Sequence, residues 1–190
     1  MTRLRIPTSP AWVETVLADF DAFLLDHAAC ERKASATALT FVSHYPDRRE
    51  LVSAMIDLAR EELEHFHLVY RRIEERNLVL TADTKDPYVN RLVKEFRKGS
   101  EAYFLDRLLI GGIVEARGCE RFGLVAEALP AGPLKDFYRD LTASEARHRG
   151  LFLRLARRYF ETSSVDQRLQ ELLEVEAAVI RELPLRAAVH

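Results

Sequence analysis

Apolar residues recur along this chain at alternating intervals of three and four in four long stretches, the spacing that lines one face of a helix rather than of a strand. The first begins at Ser9-Pro10, a cap residue followed by the proline suited to a first turn, and runs to about Tyr45, with a bend expected near Asp19 to Asp21. The second starts at Asp47, with Glu50 three residues on as a capping-box variant, and reaches about Arg76. Residues 77–86 form the longest connection, and Asp86-Pro87 then opens a short helix to about Lys98. Gly99-Ser100 leads into the third long helix, which ends before Pro130, and the fourth spans Pro133 to about Phe160. A last amphipathic segment is expected from Ser164, with Gln167 at the capping-box position and Leu169, Leu172, Leu173, Val179, Ile180 and Leu183 on its apolar side. The expected architecture is one all-α domain over residues 1–190. Its four-helix bundle core covers about 10–160, residues 77–86 act as a long crossover connection, and 161–190 form an additional C-terminal helix and tail packed across the bundle.

Composition narrows the class further. The seven Gly and seven Pro among 190 residues supply too little turn chemistry for a many-stranded sandwich or barrel. The longest apolar run, Leu108 to Val114, is far short of the roughly 18 residues that span a bilayer, and the stretch from Met1 to Val13 lacks a leader's apolar core. Cys30 and Cys119 form no CxxC, so neither a disulfide framework nor a thiolate metal site is expected, and a reducing cytoplasm fits. The net charge of −2 conceals a division: residues 161–190 carry 3 basic against 6 acidic side chains, residues 1–160 carry 25 against 24. If four glutamates of the main body bind metal, the remaining surface there is basic, and an anionic partner becomes conceivable.

The apolar seams are interrupted by the same two residue types. The second segment reads Leu51, Met55, Leu58, Glu62, His65, Val69, and the fourth reads Leu134, Tyr138, Leu141, Glu145, His148, Phe152, Leu155, Tyr159. Glu three residues before His places a carboxylate and an imidazole on one helix face. A third such pair, Glu64/His67, extends backwards through Arg60, Asp57 and Ser53, a polar face, and is therefore read as solvated. The other two long segments each bring one Glu into the seam. The first reads Leu17, Phe20, Leu24, His27, Glu31, Ala34, Ala38, Phe41, Tyr45, and the third Phe104, Leu108, Gly111, Glu115, Gly118, Phe122, Val125, Leu129. Buried carboxylates cost several kcal/mol unless they are paired or bind a cation.

An internal repeat ties the four together. Glu31 lies 15 residues before Pro46 and Glu115 lies 15 before Pro130; Glu62 follows Glu31 by 31 residues and Glu145 follows Glu115 by 30. Glu120, the rival of Glu115, lies off the seam and breaks the repeat. The candidate set is Glu31, Glu62, His65, Glu115, Glu145 and His148, the inventory of a carboxylate-bridged di-iron site in a ferritin-like four-helix bundle. The plainer alternative is a satisfied polar core or surface Glu/His pairs. The mixed nitrogen and oxygen donors suit manganese as well as iron, and only the expected function favours iron.

The sequence around these residues resembles one family. Asp26-His27-Ala28-Ala29-Cys30-Glu31-Arg32-Lys33-Ala34, Arg60-Glu61-Glu62-Leu63-Glu64-His65-Phe66, Glu115-Ala116-Arg117-Gly118-Cys119-Glu120-Arg121-Phe122 and Ser144-Glu145-Ala146-Arg147-His148 are similar to the tRNA-(2-methylthio-N6-isopentenyladenosine) hydroxylases, the MiaE family. The resemblance spans roughly residues 10–160. It implies a non-haem di-iron monooxygenase, with O2 as co-substrate, that hydroxylates the isopentenyl group of the modified adenosine beside the tRNA anticodon. By the same resemblance the six residues would hold the two irons and be the catalytic set. Electrons would come from an external electron-transfer partner, because the chain carries no flavin or haem motif and two cysteines cannot ligate an iron–sulfur cluster. The competing function is a ferritin-like iron-handling or peroxide-scavenging protein. Against it stand a Glu-x-x-His in both halves and the lack of a CxxC rubredoxin module.

Other residues admit two readings each. Gly111 and Gly118, one turn either side of Glu115, either let helices approach closely or leave room for O2 and a prenyl chain, with Ala34 and Ala38 adding space. His27 is read first as a hydrogen-bonded core histidine and second as a residue supporting a ligand. Cys30 and Cys119 are expected to be small buried hydrophobes. Arg91/Lys94/Lys98, with Arg97, and Arg154/Arg157/Arg158, with Arg147 and Arg149, are two basic clusters from which a tRNA-binding face is to be chosen.

Overall fold

The computed structural model describes residues 3–190; residues 1 and 2, with which the stretch searched for a leader begins, lie outside it. Seven α-helices follow in order: α1 (Pro10–Ala18), α2 (Phe20–His44), α3 (Arg49–Glu75), α4 (Pro87–Leu92), α5 (Ser100–Ala128), α6 (Pro133–Tyr159) and α7 (Thr162–Glu182), with a 3-10 turn at Val93–Glu95 after α4. No strand occurs among the described residues. The chain divides into two compact bodies. One holds Glu14–Thr84 and Arg186–Val189, and so α2 and α3; the other holds the N-terminal segment up to Val13, Lys85–Leu185 and His190, and so α4 to α7. One domain is expected from length, and the structure has two units of packing.

The expected bend in the first segment is a break. Asp19 leaves helical geometry (φ −139°, ψ 66°) and its carboxylate accepts the Ala22 N–H, capping α2. The break takes Leu17 off the seam, and that side chain is 44% exposed. From Leu24 onward the seam is as expected, with Leu24, His27, Glu31, Ala38 and Phe41 buried. In α3 the buried positions are Leu51, Met55, Leu58, Ala59, Glu62, Val69 and Ile73, and the Ser35 hydroxyl of α2 donates to the Ala59 carbonyl at 2.8 Å. The Asp47 capping box does not form. The Arg48 N–H instead bonds the Tyr45 carbonyl across a turn, and α3 starts two residues later than the spacing predicts.

In the second body, Asp86 caps α4 by accepting from the Tyr88 and Val89 amides, with Pro87 in the first turn. The short helix ends six residues before the expected Lys98. Gly99 adopts φ +96°, a left-handed conformation that glycine tolerates without strain, and α5 starts at the next residue. α5 is buried nearly all round from Phe104 to Ala126, pairing with α6 along its length and touching α7. The capping box expected at Ser164/Gln167 is absent, since α7 already starts at Thr162. α7 packs on α4 and α5.

Two charged networks brace α5. Asp106, fully buried, accepts from the Arg97 backbone and guanidinium and from Arg168 of α7. Arg117, also fully buried, donates to Glu176 of α7 at 2.6 and 2.9 Å, to the Thr8 hydroxyl and to the Ile6 carbonyl, and the Tyr88 hydroxyl donates to the same Glu176 oxygen. Buried charges need partners of this kind to be tolerated. No helix of the described residues is long and apolar enough to cross a membrane.

Candidate metal centre

The α2/α3 seam presents Glu31, Glu62 and His65 together. Glu31 and Glu62 are 4% and 1% exposed. His65 Nδ1 lies 3.2 Å from Glu62 Oε2 and 3.8 Å from Glu31 Oε2. One ligand atom from each of the three falls within 4.8 Å of the others. Residues 62 and 65 share a face of α3 because they are three apart, and Glu31 is held opposite them by the pairing of α2 with α3. Burial alone would lower the His65 imidazole, but the Glu31 and Glu62 carboxylates beside it outweigh that and raise it to about 9. Burial likewise pushes the Glu31 carboxyl up, and hydrogen bonds to His27 and His65 more than reverse this, holding it below the usual carboxylate range. The pocket stabilises positive charge.

The α5/α6 seam repeats the arrangement. His148 Nδ1 lies 3.7 Å from Glu145 Oε1 and 3.9 Å from Glu115 Oε2, and again each residue offers a ligand atom within 4.8 Å of the other two. Glu145 and His148 are buried, and the Glu115 side chain is 11% exposed. Each body therefore gathers two carboxylates and one imidazole at one buried point. That donor set fits a divalent first-row ion such as iron or manganese, whose charge would offset two buried carboxylates.

Rival residues fall elsewhere. Glu64 and His67 are 64% and 50% exposed at the side chain and face solvent, as the polar register predicts. Glu120 accepts from the Thr8 amide and hydroxyl at 3.0 and 2.7 Å and from Arg117, which takes it into the bracing network. His27 is the hydrogen-bonded core histidine of the first reading, and its partner is a candidate ligand: fully buried, it sets Nε2 2.6 Å from Glu31 Oε1. Its place on the seam four residues before Glu31 was the available signal.

The glycines divide. A Cβ at Gly111 would lie 2.8 Å from the Phe152 ring, so this glycine serves close approach of α5 and α6 and leaves no room for substrate. At Gly118 the nearest atom would be Cε2 of Phe122, one turn on along the same helix, at 3.9 Å, an ordinary contact. The cysteines are half-buried and hydrogen-bonded, Cys119 to the Thr142 carbonyl and Cys30 to Asp26, so they are not the plain hydrophobes expected. Burial pushes the Cys119 thiol up and keeps it protonated.

Two Glu/Glu/His sets in a helical chain are compatible with a carboxylate-type metal site, and comparison with known proteins narrows the class. The family model for tRNA-(MS2IO6A)-hydroxylase (MiaE) matches residues 1–190, and the chain belongs to that family. A Pseudomonas putida protein named tRNA 2-(methylsulfanyl)-N(6)-isopentenyladenosine(37) hydroxylase is 35% identical over 178 residues, covering 94% of this chain and 86% of the relative. A Salmonella typhimurium protein of the same name is 28% identical, over 93% of this chain and 83% of the relative. Among solved structures, a Synechococcus protein described as having aldehyde deformylating oxygenase activity superposes with a TM-score of 0.92 at 38% identity, over 97% of this chain and 92% of that one. The fold class is all-α and ferritin-like.

Proposed function

We propose that this chain hydroxylates the isopentenyl group of 2-methylthio-N6-isopentenyladenosine in tRNA, and that Glu31, Glu62, His65, Glu115, Glu145 and His148 hold the two iron ions it uses. The observation that carries the reading is the repeated buried set of two carboxylates and one imidazole in a chain matched along its whole length by the hydroxylase family. The balanced reaction converts R–H, O2, two electrons and two protons into R–OH and water. Held by these six residues, an iron pair would supply the activation of O2 for oxygen insertion at an allylic C–H bond.

The chain's own part is to hold, orient and shield. Four carboxylates offset the charge of two divalent ions, and two imidazoles complete the donor set. His27 fixes one oxygen of Glu31. The apolar residues around the ligands, Phe152 and Leu141 on α6 and Phe122 and Leu108 on α5, keep water from the reacting centre. Electrons come from an external partner, and the site of action is the cytoplasm, where tRNA is modified.

The tRNA face is best assigned to α6. In the other cluster Arg91 pairs with Glu182 at 2.5 Å and Arg97 with Asp106 at 2.8 Å, while in the α6 cluster Arg157 pairs with Asp166 at 2.8 Å. On α6, Arg147 bonds the Ala143 carbonyl and the Ser144 hydroxyl, and Arg154 is exposed with no ion pair among the described residues. Arg147, Arg154 and Arg158 lie seven and eleven residues apart, close to two and three full turns, and so share one stripe about 16 Å long. Charge removal at Arg154 and Arg158 is expected to weaken tRNA binding and to flatten the log-log slope of its salt dependence by roughly 0.7 for each phosphate left unneutralised.

A second reading comes from the solved relative: at 38% identity, aldehyde deformylation is a competing activity. The decisive test supplies purified, iron-loaded protein with a chemical reductant, O2 and either prenylated, methylthiolated tRNA or a long-chain aldehyde. Nucleoside analysis is expected to show one added oxygen, derived from O2, in the tRNA. Aldehyde turnover with unchanged tRNA would overturn the hydroxylase reading.

A further inference from the structure

We propose that His27 is a positioning residue for Glu31, and that it makes the α2/α3 ligand set chemically different from the α5/α6 set. The inference rests on the metal-centre reading above and adds a functional asymmetry between its halves.

His27 Nε2 lies 2.6 Å from Glu31 Oε1, a short bond between two buried side chains one turn apart on α2. The other oxygen of Glu31, Oε2, is the one that lies 3.8 Å from His65 Nδ1. The two oxygens are thus divided: one accepts from His27, and the other faces the remaining ligands of its set. Donation of an N–H to Oε1 fixes the rotation of the carboxylate and draws electron density from it. Oε2 is then the Glu31 oxygen left to face an ion.

The repeat shows what the second set has in place of this partner. Four residues before Glu115 stands Gly111, which carries no side chain, and the space a Cβ would need is filled by the Phe152 ring, 2.8 Å from that position. Where the α2/α3 set has an imidazole one turn before its carboxylate, the α5/α6 set has a glycine whose side-chain space is taken by the Phe152 ring. Position 111 supplies no N–H donor to Glu115, so the contact that His27 makes has no counterpart from that position in the α5/α6 set. Partners that orient ligands in this way commonly alter metal affinity by about 10- to 100-fold.

The test uses the whole chain, without tRNA, and cobalt(II) alone as the probe, titrated under anaerobic conditions and followed by its visible absorption. His27→Leu is expected to weaken one of two binding steps by roughly 10- to 100-fold and leave the other unchanged. His27→Gln, which keeps an N–H donor near the Nε2 position, is expected to restore most of the lost affinity. Iron-57 Mössbauer spectra of the loaded wild-type protein should resolve two unequal sites, only one of which moves in His27→Leu. Equal changes in both steps, no change in either, or failure of Gln to restore affinity overturns the proposal, and loss of an ion in both variants makes His27 itself a ligand. If His27→Leu does not fold, His27→Asn, too short to reach Glu31, takes its place, and two indistinguishable iron sites in the wild type overturn the proposal unaided. A protein that binds no cobalt defeats the metal-centre reading itself, which separates that failure from this one.

Discussion

The α2/α3 pair and the α5/α6 pair carry the same ligand spacing on two kinds of support. α3 keeps a wide polar face, on which Glu64 and His67 stand in solvent, and the link to α2 through the Ser35 hydroxyl joins neutral groups. α5 is buried on almost every side and is fixed to its surroundings by two networks of buried charge. A repeat in sequence therefore reproduces the ligands but not the matrix that holds them. What the ligands need is the i, i+3 face and a facing carboxylate, and a lightly braced hairpin or a deeply buried helix supplies these equally well.

The sharpest way to break the comparison is at the ligands, where the halves should behave alike and their off-seam neighbours should not. Glu115→Ala is expected to empty at least one metal site while Glu120→Ala leaves metal content unchanged, because Glu120 serves Thr8 and Arg117. In the other half His65→Ala should lose metal and His67→Ala should not. Metal analysis of the four purified variants decides, and equal loss within either pair would remove the seam assignment for that half.

The supports, by contrast, should differ greatly. Arg117→Ala leaves Glu176 buried without its cation, and breaking a buried ion pair in this way costs about 3–5 kcal/mol. Ser35→Ala in the α2/α3 pair removes one neutral hydrogen bond, worth about 1 kcal/mol. Urea unfolding measures both. A double replacement, Arg117→Met with Glu176→Met, should be milder than either single change, and a ratio near one between the Arg117 and Ser35 variants would show that the bracing of α5 is not what distinguishes the halves.

These two cases also mark what the sequence could and could not yield. The seams, the placement of Glu115 rather than Glu120 and of His65 rather than His67 in them, and the order of helices were legible because they depend on spacing within single helices. The role of His27 was half legible: its seam position was visible, but its 2.6 Å contact depends on rotamer and burial. The network of Arg117 was not legible, since its partners Thr8 and Glu176 lie 109 and 59 residues away and no local pattern joins them. The Asp47 and Ser164 capping boxes failed for the opposite reason. A local pattern was present, but a turn ending at Arg48 and the earlier start of α7 took precedence.

A smaller effect is expected where the last residue meets the start of α4. The His190 ring stacks on Tyr88 at 5.1 Å and its Nδ1 lies 3.2 Å from Asp86. Burial would raise the Asp86 carboxyl, yet His190 and the Val89 and Tyr88 amides outweigh it and bring it from 3.8 down to about 2. Because the folded value lies below the unfolded one, the unfolded chain takes up the proton first as pH falls. The contribution is complete above about pH 4 and is lost as pH falls toward 2. Asp86→Asn, which can still cap the helix, should therefore lower stability by ~2 kcal/mol at pH 6 and by almost nothing at pH 2. A difference independent of pH would show that the carboxylate charge is not involved.

The smallest effect, and the one that most directly separates the two readings of the seam glycines, comes from adding a single methyl group. Both Gly111 and Gly118 lie inside α5, where glycine is less favourable than alanine by roughly 0.5–1 kcal/mol. At Gly118 the new Cβ would sit 3.9 Å from its nearest neighbour, the Phe122 ring of the same helix, so Gly118→Ala should collect that helix preference and leave stability unchanged or slightly raised. At Gly111 the Cβ would meet the Phe152 ring at 2.8 Å, and Phe152 is itself only 4% exposed, so the ring has little room to retreat. Overpacking of this kind costs about 1–3 kcal/mol, which exceeds the helix gain and makes the net sign for Gly111→Ala destabilising. Opposite signs in thermal unfolding would establish Gly111 as a packing residue and leave Gly118 as the seam glycine with room beside it. Equal signs would mean that the α5/α6 contact yields around Phe152, and the asymmetry inferred between the two ligand sets would lose its rigid side.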